Sequence, residues 1–190
     1  NKATELGVND PLVLLNIGNI CFEQKKYDDA IAAYNKYLVT NNNDTKVFIK
    51  LGNCYDERQQ YENAIVEYTN ALAFDKSLTT YFLRANDYYL AGASNKTLFD
   101  SAVADCSAII ALDANNVDAY VLRGRAYKAM KNLEQAIADF SKAIELAPAS
   151  FSSPAGVHFP SLAAIARSMS CSTVSSLFSS RVTSTQHGAS

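Results

Sequence analysis

The chain repeats itself, and that constrains it more than its composition does. Residues 17–38 read IGNICFEQKKYDDAIAAYNKYL, residues 51–72 LGNCYDERQQYENAIVEYTNAL and residues 123–144 RGRAYKAMKNLEQAIADFSKAI, and the three align without a gap. Gly18, Gly52 and Gly124 coincide. Twelve residues after each stand Ala30, Ala64 and Ala136, and four residues further Tyr34, Tyr68 and Phe140. From Gly18 to Gly52 is 34 residues, and from Gly52 to Gly124 is 72, which is two such units and four residues more. A repeat this short cannot bury its apolar side alone and must stack on its neighbours.

The four additional residues have a place. A degenerate third unit begins near Thr79, with Asn86 where the glycine falls and Tyr89 following as Tyr55 follows Gly52. Its second half, FDSAVADCSAIIALD at 99–113, matches LEQAIADFSKAIELA at 133–147, with Cys106 in the place of the aromatic. Between the halves lies AGASNKTL, residues 91–98, where other units carry four residues such as ERQQ. Added length in a turn costs little closure entropy.

Each unit reads as two helices. Apolar residues recur at three- and four-residue steps, Leu14, Ile17 and Cys21 and then Ile31, Tyr34 and Leu38, around a short polar turn. A glycine inside a helix costs about 1 kcal/mol relative to alanine. Closer approach of neighbouring helices offsets that cost, which explains a glycine and two alanines at fixed spacing.

These residues resemble the tetratricopeptide repeat family, whose 34-residue unit follows W-x2-L-G-x2-Y, A-x3-F, A and P. Unit 2 supplies Phe48, Leu51, Gly52, Tyr55, Ala64, Tyr68 and Ala71. Unit 4 supplies Tyr120, Gly124, Tyr127, Ala136, Phe140, Ala143 and Pro148. No tryptophan is present, and Asn86 and Cys106 depart from the pattern. The resemblance covers residues 11–150 and implies an all-α fold, a right-handed α-solenoid of stacked helix-turn-helix units. Its repeats are expected at 11–44, 45–78, 79–116 and 117–150. NKATEL at 1–6 lines up with SKAIEL at 141–146, so residues 1–10 read as the end of a truncated preceding repeat.

Beyond Ser150 the composition changes. Residues 151–190 hold twelve serines and only two charged residues, Arg167 and Arg181. This tail reads as disordered, as a weak amphipathic helix capping the last repeat, or as sequence that is not native to the protein.

Chemistry is sparse. Both histidines, His158 and His187, lie in the tail, and no phosphate-binding loop or metal-ligand spacing is present. The chain is therefore expected not to be an enzyme and to take no cofactor or metal. With 19 acidic against 17 basic residues and no basic stripe, nucleic acid is not an expected partner. Cys21, Cys54, Cys106 and Cys171 lack paired spacing, and the first three read mainly as small core residues. With no apolar run long enough to span a membrane, a cytoplasmic location without membrane partners is expected. Oligomeric state is left open.

The resemblance implies a protein-protein interaction scaffold whose first helices line a concave, peptide-binding groove. The alternative is the adaptor portion of a larger enzyme or co-chaperone. With the glycine as the eighth residue of each unit, the groove candidates are Asn16, Asn19, Lys50, Asn53, Arg84, Asp87 and Arg125. Asparagine offers donor and acceptor together and suits an extended peptide backbone. Lys50, Arg84 and Arg125 are expected to favour acidic residues, with Leu15, Ile49 and Leu83 taking apolar ones. Replacing Asn19 and Asn53 by alanine is expected to leave the fold intact. Chaperone-binding members of this family clamp a terminal carboxylate with lysine, asparagine and arginine. Here only Asn19 and Arg84 fit that set, with Leu15, Lys50 and Thr80 at the other places, so such a tail is not expected to bind this chain, while a register that begins in a preceding repeat and uses Asn16, Lys46 and Lys50 stays open.

Overall fold

The computed structural model describes residues 10–147, and the segments on either side, including the N-terminal repeat remnant and the serine-rich tail, lie outside them. The described residues form eight α-helices: α1 Pro11–Glu23, α2 Tyr27–Leu38, α3 Thr45–Glu57, α4 Tyr61–Phe74, α5 Leu78–Ala91, α6 Leu98–Leu112, α7 Val117–Ala129 and α8 Leu133–Leu146. They pack as consecutive pairs, and each pair packs on the next. There is no strand among the described residues.

The ends of the first helices repeat in units 1, 2 and 4. Asp10 caps α1 through the amides of Leu12 and Val13, and Asp44 caps α3 through those of Lys46 and Val47. Asn116 caps α7 through the amide of Ala119. These side chains satisfy N–H groups that a helix start leaves without intrahelical partners. At the far end, Lys25, Gln59 and Lys131 take positive φ of 59°, 58° and 66°. The following amides of Lys26, Gln60 and Asn132 then donate to Cys21, Tyr55 and Tyr127 carbonyls, each at 2.9 Å. This is the left-handed helix stop that usually recruits glycine. Here it is made by lysine and glutamine.

The helix glycines answer to sterics. A Cβ on Gly18 would lie 2.4 Å from the Tyr34 ring, one on Gly52 2.4 Å from Tyr68, and one on Gly124 2.9 Å from Phe140. Tyr34 and Tyr68 are fully buried, so the rings cannot swing away. The glycine is the hole that the partner helix's ring occupies. Between units 1 and 2, Val47, Leu51 and Cys54 of α3 close on Cys21, Ala30 and Tyr34. Burial of each large apolar side chain contributes about 1.5–3 kcal/mol. The core is therefore distributed along the stack, joint by joint.

The third unit differs from its expected alignment by one residue. Its first helix starts at Leu78, behind Ser77 in the capping place, and Ala85 stands where the other units carry glycine. Ala85 packs against Cys106, which replaces the ring. The exchange is reciprocal: a smaller side chain on α6 leaves room for a methyl on α5. Spacing shows how the slip arose. Gly52 and Tyr68 are 16 residues apart, as are Gly124 and Phe140, but Ala85 and Cys106 are 21 apart. Tyr68 and Ala85 are 17 apart, where the Tyr34–Gly52 and Cys106–Gly124 separations are 18. The turn carries five additional residues and the preceding connection one fewer. Gly92, in that long turn, presses on Phe99, with a Cβ there 2.5 Å from the ring.

Candidate functional site

The first helices of the units lie side by side, and α5 touches α7 directly. One position on them repeats with its chemistry intact. Asn19 accepts a hydrogen bond from the Tyr34 hydroxyl at 2.9 Å, and Asn53 accepts one from the Tyr68 hydroxyl at 2.7 Å. Burial pushes both phenols well above their ordinary pKa, so they remain donors. Each asparagine carbonyl is thus fixed from inside the repeat, and the bond leaves its amide N–H groups unused. In the observed alignment, Asn86 of unit 3 falls at the same position, half-buried like Asn19 and Asn53, and the exposed Arg125 follows in unit 4. Phe140 has no hydroxyl for an asparagine to receive. The aligned position there carries arginine instead.

The expected groove residues divide. Asn16 and Arg125 are exposed and Lys50 is half-buried. Arg84 is already engaged. Its Nε and Nη2 donate to Asp105 Oδ2 and Oδ1 at 2.8 and 2.7 Å, and its Nη1 donates to Thr69 Oγ1 at 2.9 Å. The guanidinium also lies over the rings of Tyr81 and Tyr88. Its charge is neutralised internally, so it does not serve as a free cation for an acidic partner. The same device recurs in unit 4. Arg123 donates to both oxygens of Asp139 at 2.9 and 2.7 Å and to Ser107 Oγ at 3.0 Å. Each arginine ties the second helix of its own unit to that of the unit before. Bidentate arginine–carboxylate pairs are among the stronger polar contacts.

Asp87 also departs from expectation. It is 1% exposed and sits at the place that Cys54 and Ala126 fill in the neighbouring units, facing the joint between units 2 and 3. Its Oδ2, like Thr80 Oγ1 two turns earlier, has no hydrogen-bond partner among the described residues. Burial, and then the negative charge of Asp56, push its pKa up to about 8. Asp56 is half-buried on α3, and burial raises its pKa too.

The cysteines are inert by the same physics. Burial pushes the Cys54 and Cys106 thiols up to about 12, so thiolate is scarce at neutral pH. Among the described residues, no group of histidine, cysteine, aspartate or glutamate is arranged to hold a metal ion.

The tetratricopeptide repeat model matches residues 11–44 and 117–150. Those two stretches are tetratricopeptide repeats. A crystal structure of MamA superposes with a TM-score of 0.69 at 20% identity, covering 80% of this chain and 86% of that one. MamA residues 41 to the end from Desulfovibrio magneticus RS-1 give 0.66 at 20% identity, covering 77% and 80%. At that identity the likeness speaks to the fold, an all-α solenoid of tetratricopeptide units. No curated relative matches the sequence. Tetratricopeptide solenoids are interaction scaffolds of a non-catalytic type, and their partners are proteins. No helix among the described residues is long and apolar enough to cross a membrane.

Sequence reasoning missed Arg123 and Asn86. The signal for both lay in the spacing. Arg84 and Arg123 each stand three residues after a tyrosine, Tyr81 and Tyr120, and one residue before the small residue at the glycine position.

Proposed function

We propose that the face built by the first helices is a groove that holds an extended segment of a protein partner. Asn19, Asn53 and Asn86 run along it and offer amide donors to the segment's backbone. Leu15, Ile49, Phe82 and Val121, one turn earlier on the same helices, take its apolar side chains. Asn16, Lys50 and Arg125 add polar contacts at the edges. The observation that carries this reading is the internal Tyr–Asn bond of units 1 and 2. It fixes the amide's orientation without using its N–H groups, and preorganised donors lose less entropy on binding. The chain acts as a binding scaffold rather than an enzyme. Its buried, unactivated thiols suit a cytoplasmic location.

The test keeps the tyrosines satisfied. Asn19→Asp with Asn53→Asp retains an acceptor for each hydroxyl and removes each amide donor. Partner retention from cell extract, followed by titration of the retained partner, should fall by roughly tenfold while the thermal midpoint stays close to wild type. Unchanged partners at unchanged yield would remove the groove reading.

A further inference from the structure

We propose that the joint between units 2 and 3 receives one cationic side chain (lysine or arginine) of the bound partner, with Asp56 meeting the charge and Asp87 standing behind it. The proposal rests on the groove reading above and names what the groove selects.

Three observations lead here. First, the fold does not require polarity at this place. Units 2 and 4 fill the positions of Thr80 and Asp87 with Val47 and Cys54, and with Ala119 and Ala126, and all four are buried. Second, the polarity is only partly satisfied, because Asp87 hydrogen-bonds to Asp56 and Asn86 but not through every polar atom. Asp87 Oδ2 and Thr80 Oγ1 are buried without hydrogen-bond partners among the described residues, a costly arrangement that native folds seldom keep. Third, no basic group acts on either carboxyl, although the half-buried Lys50 stands on the same helix as Asp56 and its charge reaches Cys54. Arg84 is clamped by Asp105 and Arg58 pairs with Asp28. The groups acting on the carboxyls are Asp56 with Glu57 from α3, and Asn86 from α5, while from α4 the Tyr68 phenol feels both carboxylates. None of these is basic. Asp56 lies one turn beyond Asn53 on α3, half-buried and so open on one side. A cation arriving along the asparagine row meets it there.

The unliganded pair holds a proton at neutral pH because two carboxylates this close do not both ionise readily. An ammonium or guanidinium group beside Asp56 favours the ionised form of both. Binding therefore releases a proton from Asp87 and tightens as pH rises toward 8.

The experiment reads the carboxyls directly. The protein, 13C-labelled at aspartate, is titrated by NMR with acetyl-Gly-Lys-Gly-amide, and in parallel with its norleucine analogue at matched ionic strength. The lysine peptide should give saturable shifts at Asp56 and Asp87 and lower the Asp87 midpoint by about one unit or more. Norleucine should do neither. Asp56→Asn, checked for an unchanged circular dichroism spectrum, should abolish the response. An Asp87 midpoint that stays put with lysine, an equal response to norleucine, or a full response in Asp56→Asn would each overturn the proposal. A partner segment that binds along the asparagines while Asp87 stays unmoved leaves the groove reading standing. A lysine response in wild type together with unchanged partner retention by the Asn19→Asp, Asn53→Asp variant removes the groove reading alone.

Discussion

Asp87→Ala should stabilise this protein at neutral pH and destabilise it in acid. The side chain is 1% exposed, and its folded pKa near 8 is far above the usual 3.8 of an aspartate. The folded state therefore binds one more proton than the unfolded chain between about pH 4 and pH 8. Stability from this residue is fully present below pH ~4 and is lost as pH rises through ~8. At pH 7 the penalty spans ~3 pH units at ~1.4 kcal/mol each, or about 4 kcal/mol. Removing the carboxyl forfeits its packing and leaves a small void, at a cost of about 1–2 kcal/mol. The net gain at pH 7 is thus about 2 kcal/mol. Ala126 already occupies the matching place in unit 4, buried, so alanine fits this helix position.

Urea denaturation of wild type and variant, followed by far-ultraviolet circular dichroism from pH 4 to 9, makes the comparison. Wild type should be the more stable at pH 4. The curves should cross near pH ~5, and the variant's advantage should grow until pH ~8 and then level. Parallel curves would mean that Asp87 does not exchange a proton on folding. A variant weaker at every pH would mean that its carboxyl is satisfied in a way the orphaned Oδ2 denies.

Four further outcomes are expected. Gly52→Ala should destabilise by about 1–3 kcal/mol in thermal melts, because the new Cβ falls 2.4 Å from the immobile Tyr68 ring and overpacking exceeds the helix-propensity gain. Gln59→Gly and Lys131→Gly should each stabilise by about 0.5–1 kcal/mol in the same melts, since left-handed backbone strain is relieved against some loss of unfolded-chain restriction. Asn53→Ala should cost about 1–3 kcal/mol by leaving the buried Tyr68 hydroxyl unpaired, and adding Tyr68→Phe should recover part of it, as a double-mutant cycle will read. An acidic peptide ending in a free carboxylate of the EEVD type should show no low-micromolar heat of binding, because Arg84 is held by Asp105 and the joint beside it is acidic.

The repeat, its helices and the glycine–ring packing were legible because they are periodic: Gly18, Gly52 and Gly124 each pair with an aromatic 16 residues on. What was not legible was the third unit's alignment, because a deletion of one residue and an insertion of five show in the total spacing only as their sum, four additional residues. That single slip had consequences for function. It put Asp87 on the asparagine row, where it would have faced a ligand, and left Asn86 to stand in for a glycine. The structure puts Asn86 on that row, Ala85 in the glycine's place and Asp87 in the buried joint.

The same limit applies to Arg84. A sequence shows a cation but not the carboxylate 21 residues away that claims it, since Asp105 reaches Arg84 only once α5 and α6 have packed. The Asn53→Ala test reads differently for a related reason: the buried hydroxyl of Tyr68 bonds to Asn53, so an alanine there bears on stability as well as on binding. In a stacked repeat, the first-helix residues serve both the joint and the open face. Periodicity reports which residues are equivalent, and only packing reports which face each one serves. In the proposed groove Asn19 and Asn53 serve both at once, with the carbonyl bound to tyrosine and the amide left for the partner. That is why aspartate, which keeps the acceptor and deletes the donor, separates the two roles where alanine confounds them.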